Sequence, residues 1–185
     1  VFFVTGSVYP EVERKFPQYP YKTPRVLFRN LGNGTFEEIE QAGVGITTPR
    51  SSRGCAFGDF VNDGDMDVLI VNMNEPPSLL RNDVDVKQSW IKVKLEGVNS
   101  NRSAIGARVL VHYGGKVQAQ VVVSQSSYYS CNDPRLHFGP GSAAVVDIDV
   151  FWPSGLREQF HKVAPNRLVT LREGAGIVPN KGWAR

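Results

Sequence analysis

Four aspartates, Asp59, Asp63, Asp65 and Asp67, lie close together around a single glycine in Phe57-Gly58-Asp59-Phe60-Val61-Asn62-Asp63-Gly64-Asp65-Met66-Asp67. Carboxylates this dense repel one another unless something positive sits among them. Ca²⁺, a hard cation that takes six to eight oxygens, suits such a loop, whereas Mg²⁺ prefers a stricter octahedron rich in water. Gly64 supplies the sharp turn. The same residues also suit a second reading without metal, in which the aspartates shape a tight turn by accepting backbone N–H groups.

A second constellation is Asp133, Arg135 and His137. Alternate residues of a strand share a face. The triplet could grip a sugar or a carboxylate, or form a structural ion pair with a supporting histidine. His112 and His161 stand alone in sequence, and Asp147 and Asp149 alternate as if lining a solvated face. The serines fall in no Gly-x-Ser-x-Gly elbow, and no glycine-rich phosphate loop occurs. These features argue against an enzyme; a hydrolase with paired carboxylates is the least favoured alternative.

The elements that must position these residues are strands. Short apolar or alternating runs are separated by Gly, Pro, Asn, Asp and Ser, so the chain reads as all-β. The strands expected are Val1–Val4, Val26–Phe28, Cys55–Phe57, Val68–Val71, Trp90–Leu95, Ala107–His112, Val117–Ser124, Val145–Trp152 and Leu168–Arg172. Tyr113-Gly114-Gly115-Lys116 reads as a hairpin turn, and one short helix is expected near Glu11–Lys15. Ile91, Val93 and Leu95 should share a buried face with Lys92 and Lys94 opposite. Val146, Ile148, Val150 and Trp152 should do the same against Asp147 and Asp149. Half-buried antiparallel strands read this way, and six to eight of them close as a β-sandwich.

An internal repeat organises the first half. Val1-Phe2-Phe3-Val4 matches Val68-Leu69-Ile70-Val71, and Leu27-Phe28-Arg29-Asn30 matches Leu79-Leu80-Arg81-Asn82. Self-similarity of this kind marks blades or stacked units. The first copy carries a Pro- and Tyr-rich insert, Val8–Thr23, expected to act as a clasp on a neighbouring domain because Tyr9, Phe16, Tyr19 and Tyr21 make it too apolar for water. Its aspartate loop would precede Val1, so the reading is of a C-terminal part of a longer protein. The boundaries expected are 1–86 for the repeats, 87–175 for the sandwich and 176–185 for a tail.

Composition fits this organisation. The chain has 185 residues, 41% of them hydrophobic and 21% charged, as a globular protein requires. No apolar run is long enough to span a bilayer, so no membrane insertion is expected. The charge of +3 is scattered, which gives no nucleic-acid surface. Cys55 and Cys131 fit no zinc spacing and are read as two buried thiols in preference to a disulfide. Asn33-Gly34-Thr35 and Asn101-Arg102-Ser103 match the glycosylation acceptor pattern.

Ala56-Phe57-Gly58-Asp59 with Asn62-Asp63-Gly64-Asp65-Met66-Asp67 resembles an FG-GAP (integrin-α or VCBS-type) β-propeller repeat. The later segment resembles the ASPIC/UnbV domain. Three motifs carry that match: Ser100-Asn101-Arg102-Ser103-Ala104-Ile105-Gly106-Ala107-Arg108-Val109, Asn132-Asp133-Pro134-Arg135-Leu136-His137-Phe138-Gly139 and Trp152-Pro153-Ser154-Gly155. Repeat and domain follow one another as in bacterial relatives of cartilage acidic protein. The resemblance implies the C-terminal blade or blades of an FG-GAP propeller followed by an antiparallel β-sandwich. It also implies an extracellular, periplasmic or cell-envelope location and Ca²⁺ as the cofactor of the aspartate loop. The family's ligand positions fall on Asp59, Val61, Asp63, the carbonyl of Asp65, and Asp67; Val61 offers no side-chain oxygen. The expected function is a non-enzymatic binding or scaffold protein with a protein or glycan partner, the rest of the propeller being its partner within the longer chain. Carbohydrate binding through Asp133, Arg135 and His137 is the alternative.

Overall fold

A computed structural model describes residues 1–83 and 88–180. The domain boundary expected between 86 and 87 and the tail end 181–185 lie outside the described residues. The chain forms two compact units. Unit 1 comprises Val1–Phe60, Met66–Asn82 and Ser126–Asn132; unit 2 comprises Val61–Asp65, Asp83–Gln125 and Asp133–Arg185.

Unit 1 holds two three-stranded antiparallel sheets. The first runs β1 (Phe2–Phe3), β2 (Val26–Asn30), β3 (Phe36–Glu38); the second runs β4 (Ser52–Gly58), β5 (Asp67–Asn72), β6 (Ser78–Leu80). One-turn helices α1 (Val12–Lys15) and α2 (Val44–Thr47) lie between strands. The internal repeat holds at the level of register. Phe2 pairs with Leu27 and Phe3 with Val26, and the matching residues Leu69 and Ile70 pair with Leu79 and Ser78. The insert leaves Tyr9, Phe16 and Tyr19 exposed. Its ends are tied down, with Tyr21 O accepting the Ser7 N–H at 3.0 Å and Arg53 donating to Gly6 O and Ser7 O just ahead of it.

Unit 2 is a two-sheet sandwich. One sheet has the order β10 (Leu136–Gly141), β7 (Ser89–Glu96), β13 (Arg167–Arg172), β14 (Gly176–Val178). The other has the order β12 (Arg157–Val163), β11 (Val146–Phe151), β8 (Arg108–Tyr113), β9 (Lys116–Val121). The alternation read from sequence fills the space between them. Ile91, Val93, Leu95, Phe138, Val169 and Leu171 enter from the first sheet, and Val109, Val111, Val146, Ile148 and Val150 from the second. Gly114 and Gly115 both have positive φ, 51° and 74°, as the tight turn joining β8 and β9 needs.

Two details of the sandwich differ from the sequence reading. β7 and β13 pair in parallel, not antiparallel. The chain crosses from β12 to the opposite sheet through Ala164-Pro165-Asn166, and Asn166 fixes the register by exchanging backbone and side-chain bonds with Trp90. Lys92 faces away from the core yet is only 2% exposed, because its ammonium reaches Asn62 Oδ1 at 3.0 Å.

Candidate functional site

In unit 1, Asp67 opens β5 as a buried carboxylate. Its Oδ2 accepts the Phe60 N–H at 3.0 Å and its Oδ1 the Asn82 N–H at 2.9 Å. One side chain thus closes the turn at Phe60 and anchors the chain leaving β6. Asp59 is buried in the same unit. In unit 2, Asp63 Oδ1 accepts the Asp65 N–H at 3.0 Å, the side-chain-to-backbone bond that Asp makes in tight turns. Gly64 has φ 101°, and a Cβ there would meet Trp90 Cδ1 at 2.0 Å. Glycine is thus required twice over, by conformation and by space. Among the described residues no three His, Cys, Asp or Glu side chains gather as a metal-binding group. The bond that Asp63 accepts and the two that Asp67 accepts are those of turn-closing carboxylates.

Asp133, Arg135 and His137 do come together on unit 2. The Arg135 guanidinium grips Asp133 from two nitrogens, with Nε at 2.9 and 2.8 Å from the two carboxylate oxygens. Its Nη1 also approaches Asn62 Oδ1 at 3.3 Å. His137 lies opposite Lys92 in the β10–β7 register, its Nε2 donates to Gly64 O at 2.9 Å, and its ring stacks on Trp90. Arg135 and His137 therefore hold the segment Val61–Asp65 on the outer face of β7 and β10. His112 and His161 pair with Asp149 at 3.0 Å and Asp147 at 3.5 Å. The Lys162 N–H, then the His161 side chain, hold the Asp147 carboxyl below the usual range against burial.

Beside the Asp133–Arg135 pair the same outer face carries a groove of about 730 Å³, with Lys94, Arg102, Leu168 and Thr170 among its walls. A second hollow of about 470 Å³, bounded by Gly97, Ser100 and Arg172, shares Glu96 and Arg102 with it. Lys94 reaches Glu96 at 2.7 Å. The volume of the first is that of an ordinary ligand site.

Sequence reasoning passed over Glu173. It is 3% exposed, and its Oε2 accepts three consecutive N–H groups, from Val98, Asn99 and Ser100, at 2.7, 2.8 and 2.7 Å. Oε1 takes the hydroxyls of Ser100 and Ser154. Burial is the largest influence and pushes this carboxyl up, but the Ser154 hydroxyl and the Ser100 and Val98 N–H groups together hold it at about 2. One carboxylate thereby joins Ser100 of the first ASPIC/UnbV-like motif to Ser154 of the third. The signal available was the presence of serines in both. Asn101 is engaged in the same loop, exchanging two bonds with the Ile105 backbone.

Segment Ser126–Asn132 belongs to unit 1, where it covers the open edge of β4. Ser130 Oγ accepts the Cys55 N–H and Asn132 Oδ1 the Phe57 N–H, both at 3.0 Å. Side chains thus satisfy an edge that would otherwise invite another strand. Cys55 and Cys131 are not joined in a disulfide. Cys55 is half-buried, but Cys131 is exposed, contrary to the expectation of two buried thiols. Ser130 and Asn132 face β4, and the residue between them is turned out.

Two family models match successive parts of the chain. Residues 97–178 match the family model "ASPIC and UnbV", and residues 21–70 match "FG-GAP-like repeat". The chain is 28% identical over 136 residues to cartilage acidic protein 1 of Homo sapiens, covering 71% of this chain and 20% of the human protein. It is 28% identical over 156 residues to cartilage acidic protein 1 of Xenopus tropicalis, covering 78% of this chain and 24% of that protein. The chain thus spans about a fifth to a quarter of the length of the curated relatives it matches. No helix among the described residues is long and apolar enough to cross a membrane. The fold is all-β, with a segment similar to the ASPIC and UnbV domain following one similar to an FG-GAP-like repeat.

Proposed function

We propose that this protein is an exported, non-enzymatic binding module in which the sandwich presents a fixed surface to a protein or glycan partner. The observation that carries the reading is the groove on the outer face of β7 and β13, set on a sheet whose opposite face is the apolar core. The side chains that sequence nominates for chemistry support it, because their bonds hold backbone or one another: Asp67, the Asp133–Arg135 pair and His137. An extracellular or envelope location is part of this proposal, supported by likeness to the cartilage acidic proteins, and the rest of a propeller is proposed as the partner of unit 1. For the loop Asp59–Asp67 we propose turn closure by the carboxylates. Ca²⁺ bound through Asp59, Asp63, Asp65 and Asp67 is the competing proposal, supported by the donor type.

The test is an array of glycans and extracellular proteins probed with the intact chain, with each bound glycan then sized for cleavage. Binding without shortening is the expected result. Shortened glycan would replace this reading with a hydrolase.

A further inference from the structure

We infer that the trough along the β7–β13 seam takes a carboxylate-bearing polysaccharide, one built from uronic acids, through Arg102 and Arg172. The inference rests on the binding-module reading and names its ligand class.

The two hollows share Glu96 and Arg102, so they form one trough over the face of the sheet. Among the described residues four cationic side chains border it, Lys94, Arg102, Arg135 and Arg172, against two anionic ones, Glu96 and Asp133. The anions are matched: Asp133 is gripped by Arg135 and Glu96 by Lys94. Arg102 and Arg172 are exposed, and neither guanidinium has a carboxylate or hydrogen-bond partner among the described residues. Two unmatched forks on one trough present ten N–H donors, in the planar geometry that a carboxylate accepts two at a time.

The shape of the site selects among anions. The trough lies on the face of a sheet, where an acidic peptide finds no free ladder of N–H and C=O groups; strand addition needs an edge. Among the described residues no aromatic side chain lines it, so these walls offer nucleic-acid bases no stacking platform. Neutral sugars lack the same platform. Ser103 adds a hydroxyl along the wall, while Thr170 and Asn180 bond one another, and Asn180 donates to Leu168 O, which fixes that side of the trough. Guanidinium forks prefer bidentate carboxylate to a point-charge interaction.

The experiment is titration calorimetry of the full chain with an oligogalacturonate hexamer, beside a neutral maltohexaose and a poly-glutamate peptide. The expected result is binding of oligogalacturonate alone, weakened by salt, and weakened roughly tenfold or more by each of Arg102→Ala and Arg172→Ala. Arg102→Lys keeps the charge and loses the fork, so it should fall between wild type and Arg102→Ala. Both positions are exposed, and unchanged melting curves would show that the variants fold. The inference is overturned by no binding of oligogalacturonate, by equal binding of maltohexaose or poly-glutamate, or by affinity indifferent to both arginines. A neutral glycan or protein bound elsewhere would leave the binding-module reading standing while removing this one. Shortened oligogalacturonate would remove both.

Discussion

The two units are built on opposite principles. Unit 2 gathers seventeen buried apolar side chains into one cluster, drawn from both of its sheets, whereas the only fully buried large apolar side chain of unit 1 among the described residues is Ile70. Otherwise the side chains unit 1 buries among the described residues are polar: Arg25, Ser51, Ser52, Asp59, Asp67, Asn72 and Ser130. Its strands meanwhile expose Phe3, Leu69, Val71 and Leu79. Burial of apolar area is the dominant favourable term in folding, and a net hydrogen bond contributes only about 0.5–1.5 kcal/mol. The sandwich is therefore the stable platform, and the blade-like unit is specified by directional bonds and left open on its apolar faces.

The largest break in this comparison should come from the sandwich core. Phe138 is fully buried, so Phe138→Ala should cost about 3–5 kcal/mol, read by denaturant unfolding; a loss near zero would deny the core its role. Next comes Glu173. Its folded pKa of about 2 lies below the ordinary value of 4.5, so the stabilisation is full above pH about 4.5 and is lost as pH falls through about 2. Glu173→Gln should lower the melting temperature at neutral pH and flatten the acid limb of the stability curve. An acid limb identical to wild type would assign the acid sensitivity to other groups.

Unit 1 should break more gently and through polar atoms. Asn72 accepts from Ser52 Oγ at 2.9 Å and donates to Pro76 O and Ser78 Oγ at 2.8 and 2.9 Å. Asn72→Ala should cost about 1–3 kcal/mol, with amide shifts confined to unit 1; shifts spread through β8 and β11 would argue against separate units. The smallest effect expected is that of Ca²⁺. Melting curves in excess Ca²⁺ and in excess chelator should coincide. A stabilisation by Ca²⁺ that disappears in Asp63→Asn would instead establish the metal.

What the sequence made legible follows from where strands sit. Every strand interior to a sheet, β2, β5, β7, β8, β11 and β13, was expected from its apolar pattern. The strands missed, β3, β6, β10, β12 and β14, are all edges. An edge strand packs fewer neighbours and needs less apolar character: β12 reads Arg-Glu-Gln-Phe-His-Lys-Val, and β10 ends in Gly-Pro-Gly, which looks like a turn. The candidate site shows the same limit. Asp67, Asp133, Arg135 and His137 were visible as chemistry, but their partners Asn82, Asn62 and Gly64 are set by tertiary approach. Glu173 offered no motif at all, because its three N–H donors lie more than seventy residues away in sequence.

Native-state amide hydrogen exchange on the full chain tests the contrast between the units most directly, since protection reports the free energy of the opening that exposes each amide. The account predicts that β7, β8, β11 and β13 exchange only through global unfolding, while β2 and β5 exchange through a lower-energy opening that leaves the sandwich protected. Equal protection in β5 and β11, lost together on titrating denaturant, would contradict it.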